Sequence, residues 1–179
     1  MRNSVILSIL LLSLSLTSCK TTIPDRDSVV PTIYFQLTGS GLSTGDVEIT
    51  ETFDFDNQAL YLERNKTYNV LLSGKDSGGV SQITWELPNN GIVEIPDPIP
   101  SPWTDGAGSI GTRLLQVEGN RSDPRSSILL GTKIIGRTLD TGGTENRDFV
   151  FTVKDYHDNT LNKTLRVIIG AGPTRIGPR

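Results

Sequence analysis

The chain offers one thiol, Cys19, and one imidazole, His157, so any chemistry that needs either group must use these residues. A single cysteine cannot build an internal disulfide framework. One cysteine and one histidine also cannot complete a Cys/His zinc site. Carboxylates are the remaining acid–base option. Asp54 and Asp56 are two residues apart, which on a strand places both on one face. Such a pair could serve as acid and base in glycan hydrolysis, and equally well be the solvent face of a strand whose other face is Phe53 and Phe55. Calcium is the metal that the composition admits, because it takes six to eight hard oxygens. Asp54, Asp56, Asn57, Asp76, Asp155, Asp158 and Asn159 lie near expected strand ends and turns, and Asp155 and Asp158 are the donors we single out. No dense Asp-rich calcium loop occurs, and Asp or Asn in a turn also has a backbone reason to be there.

Two motifs fail on context. Gly106 to Gly111 fits G-x-G-x-x-G, which cradles a dinucleotide only where a strand runs into a helix N-terminus. Here it runs from a proline-rich stretch into Thr112–Val117, a strand-like sequence. Ser109, Asp140 and His157 keep the Ser…Asp…His order of some hydrolytic triads. That arrangement needs a parallel sheet with crossover helices, and no helical period is visible. Trp103 is the candidate binding residue. It lies in a proline-stiffened loop, where an indole can stack on a sugar or anchor a protein contact, or instead pin the loop to the core. The chain has 17 Lys+Arg against 20 Asp+Glu, a net charge of −3. That balance lacks the basic excess of a nucleic-acid binder.

These residues must be positioned by strands. No dozen residues hold the i, i+3, i+4, i+7 apolar spacing of an amphipathic helix. Short alternating runs recur between Gly, Asn, Asp and Pro clusters. The pattern predicts strands at Thr32–Thr38, Val47–Phe55, around Tyr68–Leu72 and Ile83–Leu87, and at Gly91–Ile95. It continues with Thr112–Glu118, Ser127–Ile135, Phe149–Val153 and Leu165–Ile169. Pro96–Gly111 and Gly119–Ser126 read as long loops. Trp85 alternates with Ile83 and Leu87 and belongs to the core. Tyr68–Leu87 and Phe149–Ile169 read as two hairpin-like units, each with Lys-Asp opening a polar turn. The fold class is all-β, an antiparallel β-sandwich of about seven to nine strands.

Over about Leu60–Gly170 the chain resembles bacterial immunoglobulin-like domains. The likeness is carried by Asp76-Ser77-Gly78-Gly79 followed by Ile83-Thr84-Trp85, and by the closing turn Asp155-Tyr156-His157-Asp158-Asn159. It implies an immunoglobulin-like fold and is nearly silent on activity. The antibody-type cysteines are missing, so Trp85 would pack without a disulfide.

The N-terminus carries a different signal. Arg2 precedes Val5–Leu16, twelve apolar or serine residues. That is shorter than the roughly 20 needed to span a bilayer and suits the apolar region of a signal peptide. Leu16, Thr17, Ser18 and Cys19 resemble the lipobox of bacterial lipoproteins. The resemblance implies cleavage before Cys19, diacylglycerol on its thiol and a further acyl chain such as palmitate on its new amino group. Several chains on one residue give stable anchoring, where one alone is marginal. Lys20 after the cysteine implies, by the same resemblance, an outer-membrane address.

The organisation expected is therefore a signal peptide at 1–18, a lipidated Cys19 with a flexible tether to 31, an immunoglobulin-like sandwich over 32–170 and a disordered tail at 171–179. The function expected is a non-catalytic binding, adhesion or structural module of the cell envelope, without a cofactor unless calcium binds. Its partners would be the membrane through Cys19 and a glycan or envelope protein. The alternative is a carboxylate-dependent glycan-active enzyme or a glycan-binding accessory lipoprotein.

Overall fold

Alternating apolar residues, broken by Gly, Pro, Asn and Asp, fold into strands throughout the computed structural model, which describes residues 19–39, 42, 45–89, 91–139 and 142–179. The expected signal peptide, with Leu16, Thr17 and Ser18, lies outside the described residues, as does Asp140. Among the described residues there are twelve strands and no helix. In chain order they are β1 (Thr32–Thr38), β2 (Val47–Thr50), β3 (Gln58–Glu63), β4 (Thr67–Lys75), β5 (Val80–Pro88) and β6 (Val93–Glu94). They continue as β7 (Thr104–Ala107), β8 (Thr112–Glu118), β9 (Ser127–Gly136), β10 (Glu145–Asp155), β11 (Thr160–Gly170) and β12 (Arg175–Pro178).

Two sheets result. One has the order β2-β1-β4-β9-β6, the other β12-β3-β11-β10-β5-β8-β7. Seven strands map onto the immunoglobulin plan. β1, β4, β9 and β6 stand where strands A, B, E and D stand, and β5, β10 and β11 take the places of C, F and G. The fold is an immunoglobulin-like β-sandwich with additions. β2 extends one sheet beside β1. In the other, β3 joins β11 in parallel, β12 joins β3, and the β7–β8 hairpin is inserted beyond β5. All other strand pairs are antiparallel.

The inward faces meet around aromatic rings. Phe35 from β1 enters a pocket formed by Trp85 of β5 and by Phe149 and Phe151 of β10, with centroids 5.8, 6.3 and 5.4 Å away. Trp85 and Phe151 are directly paired across β5 and β10 and stack at 6.0 Å. All four rings are buried. Such ring pairs contribute about 0.5–1.5 kcal/mol beyond their buried area. Trp85 thus occupies the core position expected of it.

Four expectations change. Tyr68–Leu87 is not a hairpin: β4 pairs with β1 and β9, while β5 pairs with β10 and β8, so the chain crosses between sheets at Lys75–Gly79. Both strands bury alternate residues, and these faces oppose one another across the sandwich. A Cβ on Gly74 would lie 2.7 Å from Ile83 Cδ1 and 2.8 Å from Val153 Cγ1, so this crossing needs glycine for close approach. Phe149–Ile169, by contrast, is a hairpin of β10 and β11. The stretch Pro96–Gly111, expected as a loop, contains β7. The expected strand Val47–Phe55 stops at Thr50, and Asp54 and Asp56 fall in turns before β3.

The fourth change is the C-terminus. Residues 171–179, expected to be disordered, carry β12 along β3. The reason is a buried polar lock. Thr174 is fully buried, its hydroxyl accepts from Glu63 N at 2.9 Å and shares a hydrogen bond with the Tyr68 hydroxyl. The Tyr68 hydroxyl also reaches Glu63 O at 3.2 Å. Burial raises the Tyr68 pKa, with the Thr174 and Glu63 bonds opposing the rise. Pro173 and Pro178 cost little here because they flank or end an edge strand.

Candidate functional site

The functional side chains divide between the two ends of the sandwich. At one end, three connections converge: the β4–β5 crossing, the β8–β9 loop and the β10–β11 turn. The segment expected as a tether lies against them. Cys19 is exposed with a free thiol. Its carbonyl accepts from Ser126 N at 3.0 Å and Ser126 Oγ at 3.2 Å. Thr21 N donates to Pro124 O at 3.0 Å, and the Thr21 hydroxyl donates to Ser77 O. Lys20 pairs with Asp123 at 3.2 Å. Arg125 and then Lys20 hold the exposed Asp123 carboxyl below the ordinary range.

The same end gathers carboxylates. Asp155 is buried at the close of β10. Its Oδ1 accepts from His157 N at 2.7 Å and Asn159 N at 2.9 Å, and its Oδ2 accepts from Asn159 Nδ2 at 2.6 Å. These bonds shape the turn, which leaves Asp158 in the left-handed region at φ +65°. Asp158 is exposed and contributes its carbonyl to Thr160 Oγ1 at 3.0 Å. Of the two expected metal donors, Asp155 belongs to a group of converging ligand atoms and Asp158 is not a member of it. Asp155 meets Asp27 and His157 instead. One ligand atom from each of these three residues lies within 4.8 Å of the others. Asn159 Nδ2 also donates to Asp27 O at 3.1 Å, which ties the tether to the turn.

Asp76 completes the cluster from the β4–β5 crossing. Its Oδ1 accepts from Gly78 N at 2.7 Å, while its buried Oδ2 has no hydrogen-bond partner. Burial raises the Asp76 pKa above the usual carboxylate value. The Gly78 amide opposes the rise, and the charges of Asp27 and Asp155 add to it. Sequence patterning offers Asp76 and Asp155 as oxygen donors without pairing them, and does not offer Asp27. The three are far apart in the chain, and only the fold makes them neighbours.

Several expected candidates take structural roles. Trp103 is 5% exposed, and its Nε1 donates to Leu129 O at 2.8 Å. It pins the loop before β7 to the core, so it has no free face to stack on a ligand. Gly106–Gly111 forms the β7–β8 hairpin, with Gly111 at φ +79° and no helix following. Glu86 Oε1 on β5 accepts from Ser109 N at 2.9 Å and from the Thr112 hydroxyl. These bonds, Thr112 first, hold the Glu86 carboxyl below its ordinary pKa. Ser109 belongs to this end and His157 to the other, so the two are not assembled. Asp54 closes its own turn by accepting from Asn57 N at 3.1 Å.

The opposite end presents a groove of about 670 Å³. Glu86, Pro88, Thr112, Arg147 and Asp148 form its polar and strand-edge wall. Ile110 and Leu139 stand on its rim with 105% and 72% of their surface exposed.

No protein-family model matches the chain, and no curated protein matches it. Among solved structures the chain is similar to BcpA, the major pilin subunit of Bacillus cereus. That match has 8% identity and a TM-score of 0.39, covering 81% of this chain and 66% of the pilin. It is also similar to the Enterococcus faecalis MSCRAMM ACE, described as binding its ligands by the collagen Hug model. There the identity is 9% and the TM-score 0.37, over 84% of this chain and 62% of that one. A non-cellulosomal cohesin from the archaeon Archaeoglobus fulgidus matches at 11% identity and a TM-score of 0.35, over 62% of this chain and 90% of the cohesin. The chain thus spans under two thirds of the pilin and adhesin chains it matches. The immunoglobulin-like assignment stands on the strand order of the two sheets.

Proposed function

We propose that this chain is a lipid-anchored protein of the bacterial cell envelope, at the outer membrane, acting as a non-catalytic binding or structural module. The observation that carries this reading is the separation of its two ends. Cys19 lies beside the start of β5, and the groove lies at its end. Nine residues from Val80 to Pro88 span about 26 Å at ~3.3 Å per residue. Lipid on Cys19 would hold one end at the bilayer and present Ile110 and Leu139 away from it. The partner class is an envelope glycan or protein that covers the apolar rim.

Radiolabelled palmitate should enter the wild-type chain and not Cys19→Ala, and globomycin should leave a larger precursor. A label retained by Cys19→Ala defeats the anchor. A photo-crosslinking residue at 110 should capture an envelope component, whereas one at position 29 near the anchor should not. Equal capture at both positions defeats the groove.

A further inference from the structure

We propose that Asp27, Asp155 and His157, with Asp76 beside them, form a divalent-cation site that fastens the 19–31 segment to the end of the sandwich. The site is independent of the groove and of lipidation. Its geometry comes first. Ligand atoms of Asp27, Asp155 and His157 within 4.8 Å of one another can surround one ion. Calcium–oxygen distances of about 2.3–2.6 Å place opposite ligands roughly 5 Å apart. Each residue keeps capacity for an ion. Asp27 uses Oδ1 to accept from Val29 N at 2.8 Å, which leaves Oδ2. Asp155 Oδ2 accepts one hydrogen bond and has a second lone pair. The His157 backbone, not its ring, holds the turn.

Asp76 supplies the independent observation. It is 6% exposed, and its enclosed Oδ2 has no hydrogen-bond partner. The carboxylates acting on it are those of Asp27 and Asp155. Asp27 Oδ2 and Asp76 Oδ1 also border the same glycine, at 2.6 and 3.3 Å from the place a Gly78 Cβ would take. A buried carboxylate beside two others is costly unless something compensates the charge, and a cation does this for all three together. A side chain on Gly78 would crowd Asp27 Oδ2 at that point. The donors come from three distant parts of the chain, so an ion here closes the tether onto the domain.

The carboxylates suit calcium, and the imidazole also admits manganese or zinc. The full chain, detergent-solubilised and stripped with EDTA, is titrated separately with Ca2+, Mn2+ and Zn2+ by calorimetry. At least one ion should bind saturably and slow tryptic cleavage after the exposed Arg26 by tenfold or more. Asp27→Asn and Asp76→Asn should each weaken binding at least tenfold. Asp27 lies outside every strand, so its variant keeps the fold in place. His157→Gln then sorts the ion: calcium binding that survives assigns it to the carboxylates, and manganese or zinc binding that is lost assigns the ring as a ligand. No saturable binding of any of the three at millimolar concentration overturns the proposal. Binding that Asp27→Asn and Asp76→Asn leave unchanged overturns it too.

Discussion

The Lys75-Asp76 and Lys154-Asp155 turns look alike in sequence and do different things. The second closes a hairpin between neighbouring strands of one sheet, whereas the first carries the chain from one sheet to the other. Their aspartates differ accordingly. Asp155 accepts three N–H groups within its own turn, and Asp76 accepts one and leaves Oδ2 enclosed without a partner. A hairpin turn satisfies itself locally. A crossing between sheets brings in groups from elsewhere, and here those groups are Asp27 and Asp155. The difference gives Asp155 a folding role that does not depend on any ion, and leaves Asp76 free for something the fold alone does not require.

The largest test removes what makes the crossing necessary. Phe35 is the ring from one sheet that enters the three-ring pocket of the other. Phe35→Ala should cost about 3–5 kcal/mol, the range for deleting a buried aromatic side chain. Chemical denaturation measures it. A loss under about 1 kcal/mol would mean that the sheets are held together elsewhere.

The crossing itself comes next. Gly74→Ala places a methyl against Ile83 and Val153, and overpacking of this kind costs about 1–3 kcal/mol. The same substitution at Gly131, where a Cβ meets nothing within 4 Å, should be nearly silent. Equal effects at the two glycines would remove the claim that the crossing needs close approach.

The aspartates give the direct contrast. In EDTA, Asp155→Asn should lose about 1.5–3 kcal/mol, the scale for hydrogen bonds to a charged group, because an amide cannot accept all three donors. Asp76→Asn should gain stability at neutral pH, since it removes an unpartnered buried charge. Matching losses in the two variants would erase the distinction between the turns.

The limits of sequence patterning follow the same line. β1 and β8 are legible to the residue: β1 alternates half-buried and buried positions along its whole length, and β8 does so from Leu114 onward. β7, Thr104–Ala107, is exposed throughout and has no apolar period to show. β3 buries Ala59 and Leu60 consecutively, which breaks the alternation that would have marked it. β12 was hidden by its prolines and is held by Thr174 through contacts far away in sequence. The two Lys-Asp turns share their local chemistry, so nothing local says that β4 and β5 part company. An indole in a proline-stiffened loop can bind or pin, and the hydrogen bond of Trp103 to Leu129 decides for pinning. Of the cation cluster, Asp76 and Asp155 are legible as oxygen donors near turns, but Asp158 is the obvious sequence companion of Asp155 and nothing local points to Asp27.

The smallest effect is a pH dependence that separates the aspartates once more. The Asp76 pKa is raised in the folded state, chiefly by burial. Between the unfolded value near 4 and the folded value, the native state then binds more protons than the unfolded state. Stability therefore falls as pH rises through that window, and the penalty is fully present above the folded value. Acidification relieves it. In EDTA, Asp76→Asn should raise the melting temperature at pH 7, and the gain should shrink to nothing as pH falls below about 4. Saturating cation should reverse the order at pH 7, because the wild-type carboxylate then has a partner that asparagine lacks. A gain for Asp76→Asn that is the same at both pH values would show that its charge is not what the fold opposes.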